Sequence, residues 1–76
     1  MMNWQDRIVV NPDVLAGKPA VRGTQWEVEM IIDLLAEGRS PQQILASYPG
    51  LVPADISACL QYATETLKGE RIVLAT

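Results

Sequence analysis

The sequence predicts a mainly α domain: three helices in a helix-turn-helix-like bundle, preceded by a short N-terminal β arm. Three observations carry this expectation. The stretch from Leu34 to Ala63 reads as the end of one helix, a tight turn, a short helix, a second turn and a third helix. Thr24-Gln25-Trp26-Glu27 and Ser40-Pro41-Gln42-Gln43 each place a hydroxyl three residues before an acid or amide, the pattern of a capped helix start. Ahead of them, two short β-prone runs flank a turn sequence.

The arm comes first. Arg7 to Val10 is rich in β-branched residues, and Asn11-Pro12-Asp13 is a turn former. Ala20-Val21-Arg22, between Pro19 and Gly23, is a second extended candidate that pairs with the first as a hairpin. Pro19 holds Lys18 out of helical geometry.

The first helix is expected to begin at Thr24 as N-cap, with Glu27 reaching back to it. Val28, Ile31, Ile32 and Leu35 then form one apolar face, and Gly38 permits the turn that ends it. The second helix begins at Ser40 with proline in its first turn, where the missing N–H costs nothing. Ile44, Leu45 and Tyr48 are its apolar side, and Pro49-Gly50 stops it. The third helix starts near Pro53 behind Val52, a poor N-cap, and Asp55 lies in its first turn, where it suits the helix dipole. Its expected buried face is Ile56, Cys59, Leu60, Ala63 and Leu67; its expected outward positions are Ala54, Asp55, Ser57, Ala58, Gln61 and Thr64. Gly69 ends it, and Arg71 to Ala75 is a final extended candidate. A single domain is therefore expected: an arm over 1–24, a helical core over 25–68 and a tail over 70–76.

The 76 residues suffice for one small core, and a hydrophobic fraction of 49% argues against disorder over most of the length. Small cores are commonly reinforced by association, so a homodimer or a partner protein is expected. Cys59 is the sole cysteine and histidine is absent, which removes an internal disulfide, the usual zinc ligands and the commonest general base. No cofactor, metal or enzymatic activity is expected. No run approaches the roughly 18 apolar residues of a membrane span. The N-terminal MMNWQDR lacks a signal-type apolar stretch, which makes a cytoplasmic protein the default.

The net charge of −3 is unevenly laid out. Arg7, Lys18 and Arg22 outnumber Asp6 and Asp13 in the first 25 residues. Glu27, Glu29, Asp33, Glu37, Asp55 and Glu65 outnumber Arg39 and Lys68 from there to residue 68. Ala16-Gly17-Lys18-Pro19 is no phosphate loop, because Pro12 and Pro19 stand where that motif needs Gly and Ser or Thr. The acidic side chains of the first helix read as a solvated face, although Asp33 and Glu37, four apart, repel one another unless something binds there. Trp4, Trp26, Tyr48 and Tyr62 read as core or interface anchors. Gln61 has the chemistry to read adenine, yet phosphate contacts dominate DNA affinity and the third helix lacks a cation before Lys68. Contacts are therefore expected on the arm, at Arg7, Lys18 and Arg22, with Arg39 beside them. Alternatively, Gly17-Lys18-Pro19 only shapes a turn.

The order of these motifs resembles a small prokaryotic family called domain of unknown function 433. Its members share a dp-x-v-x-x-G-K-P-x-i-x-G-T-R segment, a G-x-s-x-e-e-I-x-x-x-y-P turn and a helix ending a-l-x-y-A. Here these fall on Asn11, Pro12, Val14, Gly17, Lys18, Pro19, Val21, Gly23 and Thr24; on Gly38, Ser40, Ile44, Tyr48 and Pro49; and on Leu60, Tyr62 and Ala63. The resemblance covers roughly residues 8–68 and implies a homeodomain-like helical fold. It also implies an antitoxin-like binding module whose partner is a co-encoded nuclease-like toxin, with DNA binding and transcriptional regulation as a further role. A dimeric assembly protein that contacts only proteins is the alternative. Three departures stand out: Gln25 replaces the arginine after G-T, Val52 stands where threonine commonly caps the third helix, and Gln42-Gln43 replaces acidic residues. The first removes a cation from the segment expected to meet nucleic acid.

Overall fold

The computed structural model describes residues 3–10 and 17–69. The Asn11-Pro12-Asp13 turn and the tail over 70–76 lie outside the described residues. A single 3-10 turn, Trp4–Asp6, is capped by the Asn3 carboxamide, which accepts the Gln5 N–H. It leads into β1 (Ile8–Val10), which pairs antiparallel with β2 (Pro19–Val21), Ile8 opposite Val21 and Val10 opposite Pro19. Three helices follow: α1 (Val28–Ala36), α2 (Pro41–Ser47) and α3 (Pro53–Gly69). The fold is thus mainly helical, with a two-stranded hairpin at its N-terminal side.

Helix α1 begins later than its sequence suggests. The chain past Gly23 returns alongside β2, where Val21 N–H donates to the Trp26 carbonyl and Ala20 bridges Glu27. Thr24 is spent inside that turn: its hydroxyl donates to the Val21 carbonyl at 2.9 Å and accepts the Trp26 N–H at 3.1 Å. Glu27 becomes the N-cap, extended and without a side-chain cap bond. The expected capping box is therefore absent, and the helical part starts at residue 28 rather than 25, because strand-like pairing outcompetes the local cap.

The second cap is as expected. Ser40 Oγ accepts the Gln43 N–H at 3.1 Å, and Gln43 Oε1 accepts the Ser40 N–H at 2.9 Å. Between α1 and α2, Gly38 takes φ 96°, the left-handed conformation that costs other residues about 1–2 kcal/mol.

The core joins all elements. Ile8 and Val21 from the hairpin, Val28, Ile31 and Leu34 from α1, Ile44 from α2, Leu51, and Ile56, Ala58 and Cys59 from α3 are all buried. Two edge-to-face aromatic pairs fasten the non-helical segments. Trp4 meets Tyr62 at 5.5 Å between ring centres, and Trp26 meets Tyr48 at 5.0 Å. The Trp26 indole also donates to the Pro49 carbonyl at 2.9 Å.

The buried face of α3 differs from the periodicity reading. Asp55 and Ala58, expected outside, are buried; Leu60 and Leu67, expected inside, are 48% and 56% exposed. The cause is that α3 packs on two sides at once, against α1 and α2 and against the 3-10 turn and β1. A single-stripe reading centres the buried face between them incorrectly. On α1 the shift is smaller: Leu34 is buried while Ile32 and Leu35 are only half-buried.

Candidate functional site

The residues expected to make contacts divide by what already holds them. Arg7 is built into the fold. Its Nη1 donates to Asp55 Oδ1 at 3.0 Å, while Asp55 Oδ2 accepts the Val52 N–H at 3.0 Å. Asp55 is only 4% exposed, so this carboxylate is shared between the arm's cation and the first turn of α3. It supplies the reach-back half of a capping box that Val52 cannot complete. Arg7 is therefore a joint between the arm and α3, with its side chain still 39% exposed.

The other arm cations are engaged more loosely. Arg22 Nε donates to the Asp6 carbonyl at 2.8 Å, and Lys18 Nζ stands 3.7 Å from Glu27 Oε1. Both remain exposed, and a pair such as Lys18–Glu27 contributes about 0–1 kcal/mol. Arg39, in the turn before α2, forms no ion pair among the described residues and flanks an open hollow with Gln43, Ala46 and Ser47. Gln61 is exposed on α3, as expected, beside Ser57 and Thr64. Among the described residues no hydrogen bond joins Gln61 to the arm cations.

Two grooves flank α1, and sequence reasoning foresaw neither. One, of about 390 Å³, runs along α1 over Glu27, Met30, Asp33, Leu34 and Glu37, with Lys18 of the arm beside it. The second, of about 410 Å³, runs between α1 and the C-terminal half of α3 over Val28, Ile32, Tyr62, Ala63 and Leu67. Glu29 and Asp33 border both. The signal in the sequence was Leu67, an apolar residue in the last turns of a long helix, which lines the second groove.

The described residues offer little reactive chemistry. No group of three or more His, Cys, Asp or Glu among them is placed to hold a metal ion. Cys59 is fully buried; burial pushes its thiol from 9.0 up to about 12, and the nearby Asp55 carboxylate adds to the push. A thiol so protonated is a poor nucleophile. No described helix is long and apolar enough to cross a membrane.

With the geometry in place, comparison with known proteins gives the family. The model of the family described as "Protein of unknown function (DUF433)" matches residues 8–63, which takes in the hairpin, α1, α2 and the buried half of α3. The chain belongs to this family. The DUF433 fold recurs in the crystal structure of a member protein from Anabaena variabilis, with a TM-score of 0.78 and 29% identity, over 86% of this chain and 64% of that one. An uncharacterized protein of Sinorhizobium fredii, y4eO, is 34% identical over 67 residues, covering 87% of this chain and 30% of the relative. The chain thus spans less than two thirds of either relative's length.

Proposed function

We propose that this DUF433 chain is a non-enzymatic binding module, an antitoxin-like component that acts by contact with a co-encoded partner protein. One observation supports this above the rest: the exposed surface carries large apolar side chains and carboxylates unpaired among the described residues, while most described cations are already engaged. Arg7, Lys18 and Lys68 pair with Asp55, Glu27 and Glu65, and Arg22 is tied to a backbone carbonyl. Against them, Val10, Val52, Leu60 and Leu67 are large apolar side chains left exposed. Such a surface suits protein contact better than a polyanion.

The test is co-expression with the product of the adjacent gene, followed by purification and sizing of any complex. A stoichiometric complex is expected. A chain that stays free of every co-encoded product would sink the reading.

DNA contact is the second reading, and exposed Arg39 and Gln61 favour it. A salt titration with promoter DNA decides it. A protein that neutralises few phosphates gives weak binding with a shallow salt slope. If binding is real, Arg39→Ala should weaken it across all sequences, and Gln61→Ala should relax it at one base pair.

A further inference from the structure

We propose that the groove between α1 and the C-terminal half of α3 receives a basic, apolar-faced helix of a partner protein, an inference that rests on the protein-binding reading above and names the chemistry of its partner.

The floor of the groove is apolar. Ile32 and Val28 of α1 line one side, and Tyr62, Ala63 and Leu67 of α3 line the other. Thr66 also lines it, its hydroxyl donating to the Tyr62 carbonyl of its own helix at 2.9 Å. Leu67 is more than half exposed, so the wall stands open to solvent.

The rim decides the occupant. Glu29 and Asp33 border the groove on α1, and Glu37, the C-cap residue beside the neighbouring groove, continues them at four-residue spacing; all three are exposed. They form a row of carboxylates about 6 Å apart along the helix axis. None of the three has an ion-pair partner among the described residues. Like charges at this spacing destabilise a helix, so the row carries a cost within this chain that a bound cationic partner removes. A partner helix with Lys or Arg every fourth residue on one flank and aliphatic side chains on the adjoining face matches both period and polarity. It is the helix-in-groove mode of recognition, with charges setting register and apolar anchors supplying affinity.

The experiment titrates the isotope-labelled full chain with a synthetic helical peptide that carries leucines on one face and lysines at four-residue spacing. A control peptide has glutamate for lysine. The expected result is saturable binding of the lysine peptide alone, with resonance shifts confined to Ile32, Tyr62, Ala63, Leu67 and the carboxylate row. The triple variant Glu29→Gln, Asp33→Asn, Glu37→Gln should bind about tenfold more weakly, the product of three exposed charge pairs. Leu67→Asp should abolish binding. Both variants should melt no lower than the parent, since all four side chains are exposed.

Equal binding of both peptides, shifts elsewhere on the surface, or an undiminished triple variant would overturn the proposal. So would a groove already filled by residues 70–76 of the same chain, seen as contacts between those residues and Tyr62, or by a second copy, seen as a doubling of mass with concentration. The same variants against the co-encoded partner separate the two levels. A complex that survives them at full affinity rejects this groove and keeps the binding-module reading. A parent chain that forms no complex at all rejects the reading and this inference with it.

Discussion

Asp55 holds more of the molecule than its short side chain suggests. One oxygen closes the N-terminus of α3 and the other receives Arg7 from the arm. Asp55→Ala leaves the Val52 N–H without its acceptor and Arg7 without its counterion. The expected loss is about 2–4 kcal/mol, less for Asp55→Asn, which retains an acceptor for the amide. Urea midpoints at constant slope would measure it, and a change below about 0.5 kcal/mol would mean that the pair is incidental. Cys59 gives a second residue-scale expectation. Its folded pKa is raised, so its contribution to stability is complete below pH 9.0 and is lost as pH climbs toward about 12. Stability over that window should fall more steeply in the parent than in Cys59→Ala. A thiol reagent at pH 8 should label Cys59 only as fast as the protein opens. Equal slopes, or immediate labelling, would contradict the buried placement.

At the scale of elements, the helices were legible wherever local chemistry decides. The Ser40–Gln43 cap, the Gly38 turn and the Pro53 start all stand where the sequence put them. They depend on neighbours within four residues, which a sequence displays directly. What failed was set by distant partners. Thr24 has every attribute of an N-cap, but the pairing of Ala20 with Glu27 claims its surroundings. The α3 face was misplaced because Trp4 and Arg7, some fifty residues earlier, cover the side on which Asp55 lies. No periodicity within α3 records that second neighbour. The glycines offer a test of opposite signs. Gly38 has φ 96° with open space where a methyl group would project, so Gly38→Ala should destabilise by about 1–2 kcal/mol through backbone strain alone. Gly69 lies at the helical end of α3, also in open space, and Gly69→Ala should be neutral or stabilising by up to about 1 kcal/mol. Thermal melts of both would show whether conformation, not crowding, chose the glycines.

Across the whole molecule, charge layout was legible and charge use was not. The excess of acid over the helices is visible in the residue order, whereas the pairing of Arg7, Lys18 and Lys68 emerges only in the folded chain. That pairing occupies arm cations that the residue order alone presents as free. The two aromatic pairs sit on different parts of one core, Trp4 with α3 and Trp26 beside the end of α2. A single cooperative unit therefore predicts that within each of the Trp4→Phe and Trp26→Phe variants the remaining indole's fluorescence and the far-UV helical signal are lost at one midpoint. Midpoints that separate would mean that the arm melts before the helices.

The joint between Arg7 and Asp55 also fixes an order of events during synthesis. The arm leaves the ribosome before α3, so its counterion and its aromatic partner, Asp55 and Tyr62, are made some fifty residues after it. Until α3 has been translated, Trp4 and Arg7 lack the partners they close upon, so the arm docks only once α3 has emerged. A nascent chain halted after Gly50 should therefore leave the segment before β1 open to protease, and one extended past Gly69 should shield it.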